Sequence, residues 1–175
     1  MPDSAASPVP FPPVLNPESC SRMSIHYRGA RAEDAGSIAR MNQLLAEETE
    51  GRRLPESVVQ AGVARGLELA PEVRYFVAES EGTAVGQLML TREWSDWRNG
   101  WMLWLQSVYV LPEFRRQGVF RRLLDYGLGH CRSSDSPVCV RLYVEEHNDA
   151  ASAVYRRLGF GSAGYRVMER PETAF

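Results

Sequence analysis

The sequence predicts a single α/β (α+β) domain built around a mixed, mainly antiparallel β-sheet with helices on its faces. The chain has 175 residues, of which 44% are hydrophobic and 24% charged, as is typical of one globular domain with its own core. Apolar residues recur at strand spacing in some segments and at helix spacing in others, with a strand–helix–strand unit in the middle. This alternation indicates the mixed class.

Residues 1–22 differ in composition from the rest of the chain. They hold six of the eleven prolines, a density that blocks helices and central strands. We therefore predict a disordered proline-rich lead over 1–22 and one folded domain over 23–175.

The folded part begins with a strand and two helices. A strand is predicted at 24–29 from its alternating pattern. Apolar residues from Ala35 to Leu45 then recur at helix spacing, and a second helix has Pro55 at its first turn.

Three strands follow in succession. They are predicted at 73–79, 84–92 and 101–110, with Glu81 and Gly82 as the turn between the first two. The third is almost continuously apolar, which indicates a strand covered on both faces.

The last part of the domain returns to helices. A helix is predicted after Pro112, a strand at 138–144 and a helix at 149–158, which Gly159 ends with a left-handed cap. A hairpin at about 160–170 is predicted to close the chain.

Composition excludes several classes of function. All 20 basic residues are arginine and they face 22 acidic residues, for a net charge of −2. This balance argues against a basic nucleic-acid footprint. Without lysine the chain has neither the lysine of a phosphate-binding P-loop nor one for a Schiff base.

The cysteines and histidines do not indicate a metal site. Cys20, Cys131 and Cys139 are odd in number and lack CxxC spacing, and the three histidines are scattered. No apolar run approaches about 18 residues and no secretory signal is recognisable. We expect a soluble protein in a reducing cytoplasm, without a membrane partner.

The segment 108–124 has the features of an anion site. A buried strand runs through a short loop into a helix, whose first N–H groups lack intrahelical partners. Gly118 would let the backbone approach an oxygen, and four arginines add positive charge: Arg115, Arg116, Arg121 and Arg122. The alternative is an ordinary solvated basic helix start.

The segment 144–160 is the second informative one. Asn148 and Asp149 are good helix N-caps, and Tyr155 lies one turn beyond Ala151 on the inward stripe. Taken alone, Tyr155 fits a core tyrosine whose hydroxyl finds a partner.

Together the two segments resemble the GCN5-related N-acetyltransferase (GNAT) family over residues 24–170. The first is similar to the family's (Gln/Arg)-x-x-Gly-x-(Gly/Ala) loop, and the second to its Asn-x-x-Ala-x-x-x-Tyr-x-x-x-Gly-Phe helix. The matching residues are Arg115 and Gly118, then Asn148, Ala151, Tyr155, Gly159 and Phe160. Phe120 departs from the pattern, because the family has a small residue there.

The resemblance implies acetyl-CoA as co-substrate, without a metal. The pantetheine arm would pair with the backbone of a splayed strand at Val108 and Val110, and the N–H groups of 116–121 would hold the pyrophosphate. The implied cofactor-binding residues are Val108, Tyr109, Val110, Arg115, Arg116, Gln117, Gly118, Val119, Phe120, Arg121, Asn148 and Tyr155.

The resemblance also implies direct attack of a primary amine on the thioester, with Tyr155 as general acid toward the CoA thiolate. Glu93 and Asp96 are the candidate bases, and the acidic segment 47–50 and the loop 93–97 are candidate walls of an acceptor cleft. The acceptor would be a small-molecule or peptide amine. A non-catalytic acyl-CoA sensor, an interaction domain that uses the proline-rich lead, and a homodimer stay open.

Overall fold

The computed structural model describes residues 24–170, so the predicted lead over 1–22 lies outside the described residues. The strands are β1 (Ile25–Gly29), β2 (Val73–Ser80), β3 (Thr83–Ser95), β4 (Gly100–Val110) and β5 (Cys139–Leu142). The helices are α1 (Ala35–Glu50), α2 (Glu56–Glu68), α3 (Val119–Asp135) and α4 (Asp149–Arg157). The predicted order of elements is confirmed up to the end of α4.

The five strands form one sheet in the order β1-β2-β3-β4-β5. Neighbouring strands are antiparallel from β1 to β4, and β5 runs parallel to β4. The turn between β2 and β3 uses Glu81 and Gly82, both with positive φ. The mixed, mainly antiparallel sheet is therefore as predicted.

Each face of the sheet has its own apolar core. On one face α3 packs against β2, β3 and β4 around Phe76, Leu88 and Leu103. On the other face α1 and α2 cover Val77 and Tyr109. Burial of apolar area on both faces holds the helices in place. No helix among the described residues is long and apolar enough to cross a membrane.

The predicted closing hairpin at 160–170 is wrong. The structure has no strand in this segment, and Val167 and Met168 are 69% and 94% exposed. Gly161 and Gly164 weaken any strand here, because glycine loses more conformational entropy and offers no side chain to pack. The segment therefore lacks the apolar contacts that would offset the cost of ordering it into a hairpin.

Candidate functional site

The end of β4 is separated from its neighbour β5. The two strands pair only from Met102 opposite Cys139 to Leu105 opposite Leu142. Beyond that point the backbone of 108–110 has no strand partner on this side among the described residues. A strand that loses its neighbour presents N–H and C=O groups that a ligand can pair with, and of these the Val110 carbonyl is already taken by Arg115.

A bulge in β4 lies at the same place. The register with β3 shifts between Gln87 and Met89, and Ser107 has a φ of 49°. A residue with positive φ interrupts the regular pleat and increases the local twist. The bulge thus coincides with the separation of β4 from β5.

The loop before α3 forms a concave backbone surface. Arg116 and Gly118 have φ values of 62° and 78°. The first hydrogen bond of α3 runs from the Arg122 N–H to the Gly118 carbonyl, at 3.1 Å, and no side chain caps the helix start. The N–H groups of 119–121 are therefore available to an anion, and the helix dipole adds positive potential.

Arg115 is not one of the free cations of this loop, contrary to the sequence interpretation. Its Nε donates to the Val110 carbonyl at 2.7 Å, and its Nη2 pairs with the Glu48 carboxylate at 2.8 Å. The guanidinium also lies 5.1 Å from the centre of the Tyr109 ring. Arg115 therefore links the start of the loop to α1 through this ion pair, and its guanidinium is not free to bind an anion.

Glu48 accepts hydrogen bonds from Tyr109 as well as from Arg115, so all three residues join α1 to the end of β4 and the loop. The Tyr109 hydroxyl donates to the Glu48 carboxylate, and burial together with this bond raises the pKa of Tyr109 to about 12. Burial alone would raise the pKa of Glu48, but the hydrogen bonds from Tyr109 and Arg115 outweigh it and lower that pKa. Glu48 is thus an ionised structural acceptor, and the acidic segment 47–50 forms the end of α1.

Tyr155 lies where α4 meets the start of α3. Asn148 caps α4 by accepting from the Ala151 N–H at 2.9 Å, which confirms the predicted N-cap. The Tyr155 ring stands edge-on to Phe120 and Phe160, with centroids 5.9 and 5.8 Å away. Phe120, the departure from the motif, is therefore a packing partner of Tyr155.

The Tyr155 hydroxyl is suited to hold a proton. It makes no hydrogen bond within residues 24–170, and burial raises its pKa above the ordinary value of 10.0. The predicted inward stripe of α4 is correct for Tyr155 and Leu158, which pack on the core. Val154, which the same helix spacing also places on this stripe, is 40% exposed.

One cleft lies beside Tyr155 and the β4 bulge, whereas no residue of the loop 115–121 lines it. It has a volume of about 850 Å³, and Val108, Asn148 and Tyr155 line one end of it. The other end lies between α1, α2 and the sheet, where Glu50 and Thr49 line the cleft but Glu47 and Glu48 of the predicted acidic segment do not. The structure thus brings three of the sequence-predicted site residues together beside the bulge.

Glu93 and Asp96 do not lie in this cleft. They line a separate pocket of about 210 Å³ at the tip of the β3–β4 hairpin. Glu93 pairs in register with Met102, six residues before Val108, which is roughly 20 Å along a strand. Because β3 extends to Ser95 rather than to 92, these carboxylates are carried away from Tyr155, and their proposed role as bases does not fit the geometry.

Two uncharged hydrogen-bonded pairs near the cleft were missed by the sequence reasoning. The Gln106 Nε2 donates to Thr91 Oγ1 at 2.7 Å, and both side chains line the cleft. The fully buried Gln87 donates to Asn42 Oδ1 at 2.6 Å. The available signal was a polar residue inside each of two apolar strands, since such residues are buried only with partners.

The sequence matches a known family over most of its length. The family model described as "Acetyltransferase (GNAT) family" matches residues 38–160. A mycothiol acetyltransferase from Streptomyces coelicolor is 35% identical over 102 residues, covering 57% of this chain and 30% of that protein. An N-alpha-acetyltransferase from Sulfurisphaera tokodaii is 29% identical, covering 76% of this chain and 78% of that protein. The chain spans about a third of the length of the mycothiol acetyltransferases that it matches.

The fold also matches solved structures. The crystal structure of a possible acetyltransferase from Clostridium difficile 630 superposes with a TM-score of 0.79 and 41% identity. The match covers 86% of this chain and 99% of that chain. The similarity therefore extends over nearly all of the described residues.

Proposed function

The chain belongs to the acetyltransferase (GNAT) family, and from this premise we propose that it transfers the acetyl group of acetyl-CoA to a primary amine by direct attack. The family accounts for the acyl transfer. The amine acceptor, the co-substrate and the roles of individual residues are our proposal.

The observation that carries the proposal is the proximity of three backbone features to Tyr155, which lines the cleft and contacts Phe120 at the start of α3. The β4–β5 gap offers an unpaired strand edge, the bulge at Ser107 turns it, and the loop ending at Gly118 offers free N–H groups. An extended amide-containing arm fits the first feature and a pyrophosphate fits the last. Acetyl-CoA contains both groups.

The proposed reaction needs few catalytic groups. The lone pair of the neutral amine attacks the thioester carbonyl carbon, and a backbone N–H near Val108 stabilises the oxygen of the tetrahedral species. The C–S bond then breaks and the CoA thiolate takes the proton of the Tyr155 hydroxyl. The amine releases its proton to water and the Tyr155 phenolate regains a proton from water, while Glu93 and Asp96 lie outside the cleft and take no part.

The test is acetyl-CoA binding by calorimetry in the Gly118→Ala variant. Gly118 has a φ of 78° and open space around an added Cβ, so the substitution strains the loop without a clash. Gly82→Ala is the matched control, since Gly82 has the same φ and equally open space in the β2–β3 turn.

We expect Gly118→Ala to weaken acetyl-CoA binding by about 10-fold or more, because about 1.4 kcal/mol of loop strain opposes the bound geometry. Gly82→Ala should bind as the unmodified protein does. Equal affinities in all three proteins would refute the pyrophosphate assignment. Tight binding without turnover on any amine would instead favour the acyl-CoA sensor.

A further inference from the structure

The end of the cleft opposite Tyr155, between α1, α2 and the sheet, indicates the chemical class of the acceptor. From it we infer that the acceptor is a monoamine on an uncharged apolar body, aromatic or branched aliphatic, which binds between α1 and α2. This inference rests on the proposed function and names the substrate class of the same site.

The walls of this part of the cleft are mainly apolar. One face of α2 contributes Val59, Gly62, Val63 and Gly66 at helix spacing, and Leu69 follows the helix. The opposite walls come from α1, β2 and β3, through Leu45, Ala46, Val73, Tyr75 and Met89. An apolar body gains free energy by leaving water for such a surface, whereas a polyhydroxylated or polycationic body does not.

Glycine makes room in this wall. An added Cβ at Gly62 would meet no atom within 4 Å, although Gly62 lies in the middle of α2 and lines the cleft. Gly62 is exposed, so the cleft is open to solvent beside Val59 and Val63. A side chain at this position would occupy the space that the inferred body needs.

The charges at this end of the cleft are balanced and already paired. Glu50 lies 3.3 Å from Arg52, and Arg65 lies 2.9 Å from Glu68. A polycation such as a polyamine or an aminoglycoside is attracted by a cleft of one negative sign. The paired charges here give no such field, which favours a body without charge.

The polar pair nearest the bulge is uncharged, whereas the Glu145 carboxylate, which also lines the cleft, already accepts the His147 N–H at 2.9 Å. Gln106 directly precedes the bulge at Ser107, and its Nε2 is used by Thr91. The carbonyl oxygen of Gln106 is thereby left to accept one N–H from an amine. A single neutral acceptor oxygen orients one amine group and does not select for several.

The experiment measures CoA release with four probes, after acetyl-CoA binding has been established by calorimetry. Phenethylamine and 3-methylbutylamine represent the inferred class, and spermidine and kanamycin represent polycations. We expect kcat/KM to be at least about 10-fold higher for the two apolar amines. Failure of acetyl-CoA to bind would refute the proposed function. Acetyl-CoA can bind while the protein prefers polycations, shows no preference among the four amines, or does not turn over the apolar amines. Each of these three results would overturn only the inference about the acceptor.

The variants Gly62→Ala and Gly62→Leu test the location. The larger side chain should raise KM for phenethylamine by about 10-fold, with a smaller rise for alanine, while the Kd for acetyl-CoA stays within about twofold. Both changes improve helix propensity, so the fold should persist. The control is Gly129→Leu, at an equally open helical position outside the cleft. An unchanged KM in both Gly62 variants would overturn the inferred location.

Discussion

The Tyr155→Phe variant removes only the hydroxyl oxygen, so it tests the proposed chemistry while leaving the packing of the ring unchanged. In Tyr155→Phe the ring keeps its edge contacts with Phe120 and Phe160. The lost hydroxyl makes no hydrogen bond within the described part of the chain, so the free energy of unfolding should change by less than about 0.5 kcal/mol. Any larger effect on turnover then belongs to the reaction.

The expected loss in kcat is about 10- to 1000-fold, as is common for a general acid. That range corresponds to roughly 1.4 to 4 kcal/mol of transition-state stabilisation. The Kd for acetyl-CoA should stay within about twofold, because the hydroxyl acts on the departing thiolate. Since burial raises the pKa of Tyr155, the hydroxyl stays protonated at neutral pH, and its contribution disappears only as the pH rises through that raised pKa.

The assay is CoA release with phenethylamine in water and in D2O, with a melting curve for each variant. Tyr126→Phe is the control, because Tyr126 is 40% exposed on α3 and does not line the cleft. Wild-type kcat and an unchanged solvent isotope effect in Tyr155→Phe would refute the general-acid role. Water would then protonate the thiolate, and Tyr155 would be a packing residue.

Three further predictions concern residues outside the reacting centre. Arg115→Ala should lower the free energy of unfolding by about 1 to 2 kcal/mol in urea titrations. The hydrogen bond to the Val110 carbonyl contributes most of this, because the ion pair with Glu48 is half exposed. An unchanged free energy of unfolding would contradict a stabilising role for Arg115. Glu93→Gln and Asp96→Asn should leave the pH–rate profile of CoA release unchanged, and a shifted acidic limb in either would return that carboxylate to catalysis. Asp34→Asn should cost about 3 kcal/mol of stability at pH 7. Burial alone would raise the pKa of Asp34, but hydrogen bonds from Arg28 and the Arg31 N–H lower it, so the stabilisation is present above the unfolded pKa and is lost as the pH falls through the folded one. Denaturant melts from pH 7 to 2 should therefore converge for the two proteins, and parallel curves would show that Asp34 is not linked to folding.

The sequence was sufficient for features that depend on neighbouring residues. The Asn148 cap, the left-handed Gly159 after α4 and the position of Tyr155 one turn beyond Ala151 follow from local backbone geometry and helix spacing. The order of strands and helices follows from apolar periodicity in the same way. The prediction of a closing hairpin was wrong because strand formation by this segment depends on apolar partners at the end of the sheet. The sequence does not show whether such partners are present, and the structure leaves the apolar residues of the segment exposed.

The sequence by itself therefore determined the family, the order of elements and both ends of α4. The tertiary structure decided which side chains meet: Arg115 pairs with Glu48, 67 residues away, and Glu93 lies at the far end of β4 from the bulge. It also decided that α1 and α2 enclose an apolar end of the cleft. The physical reason is that caps and turns are fixed by interactions within a few residues, whereas charge pairing and cleft walls depend on strand register and helix packing between distant segments.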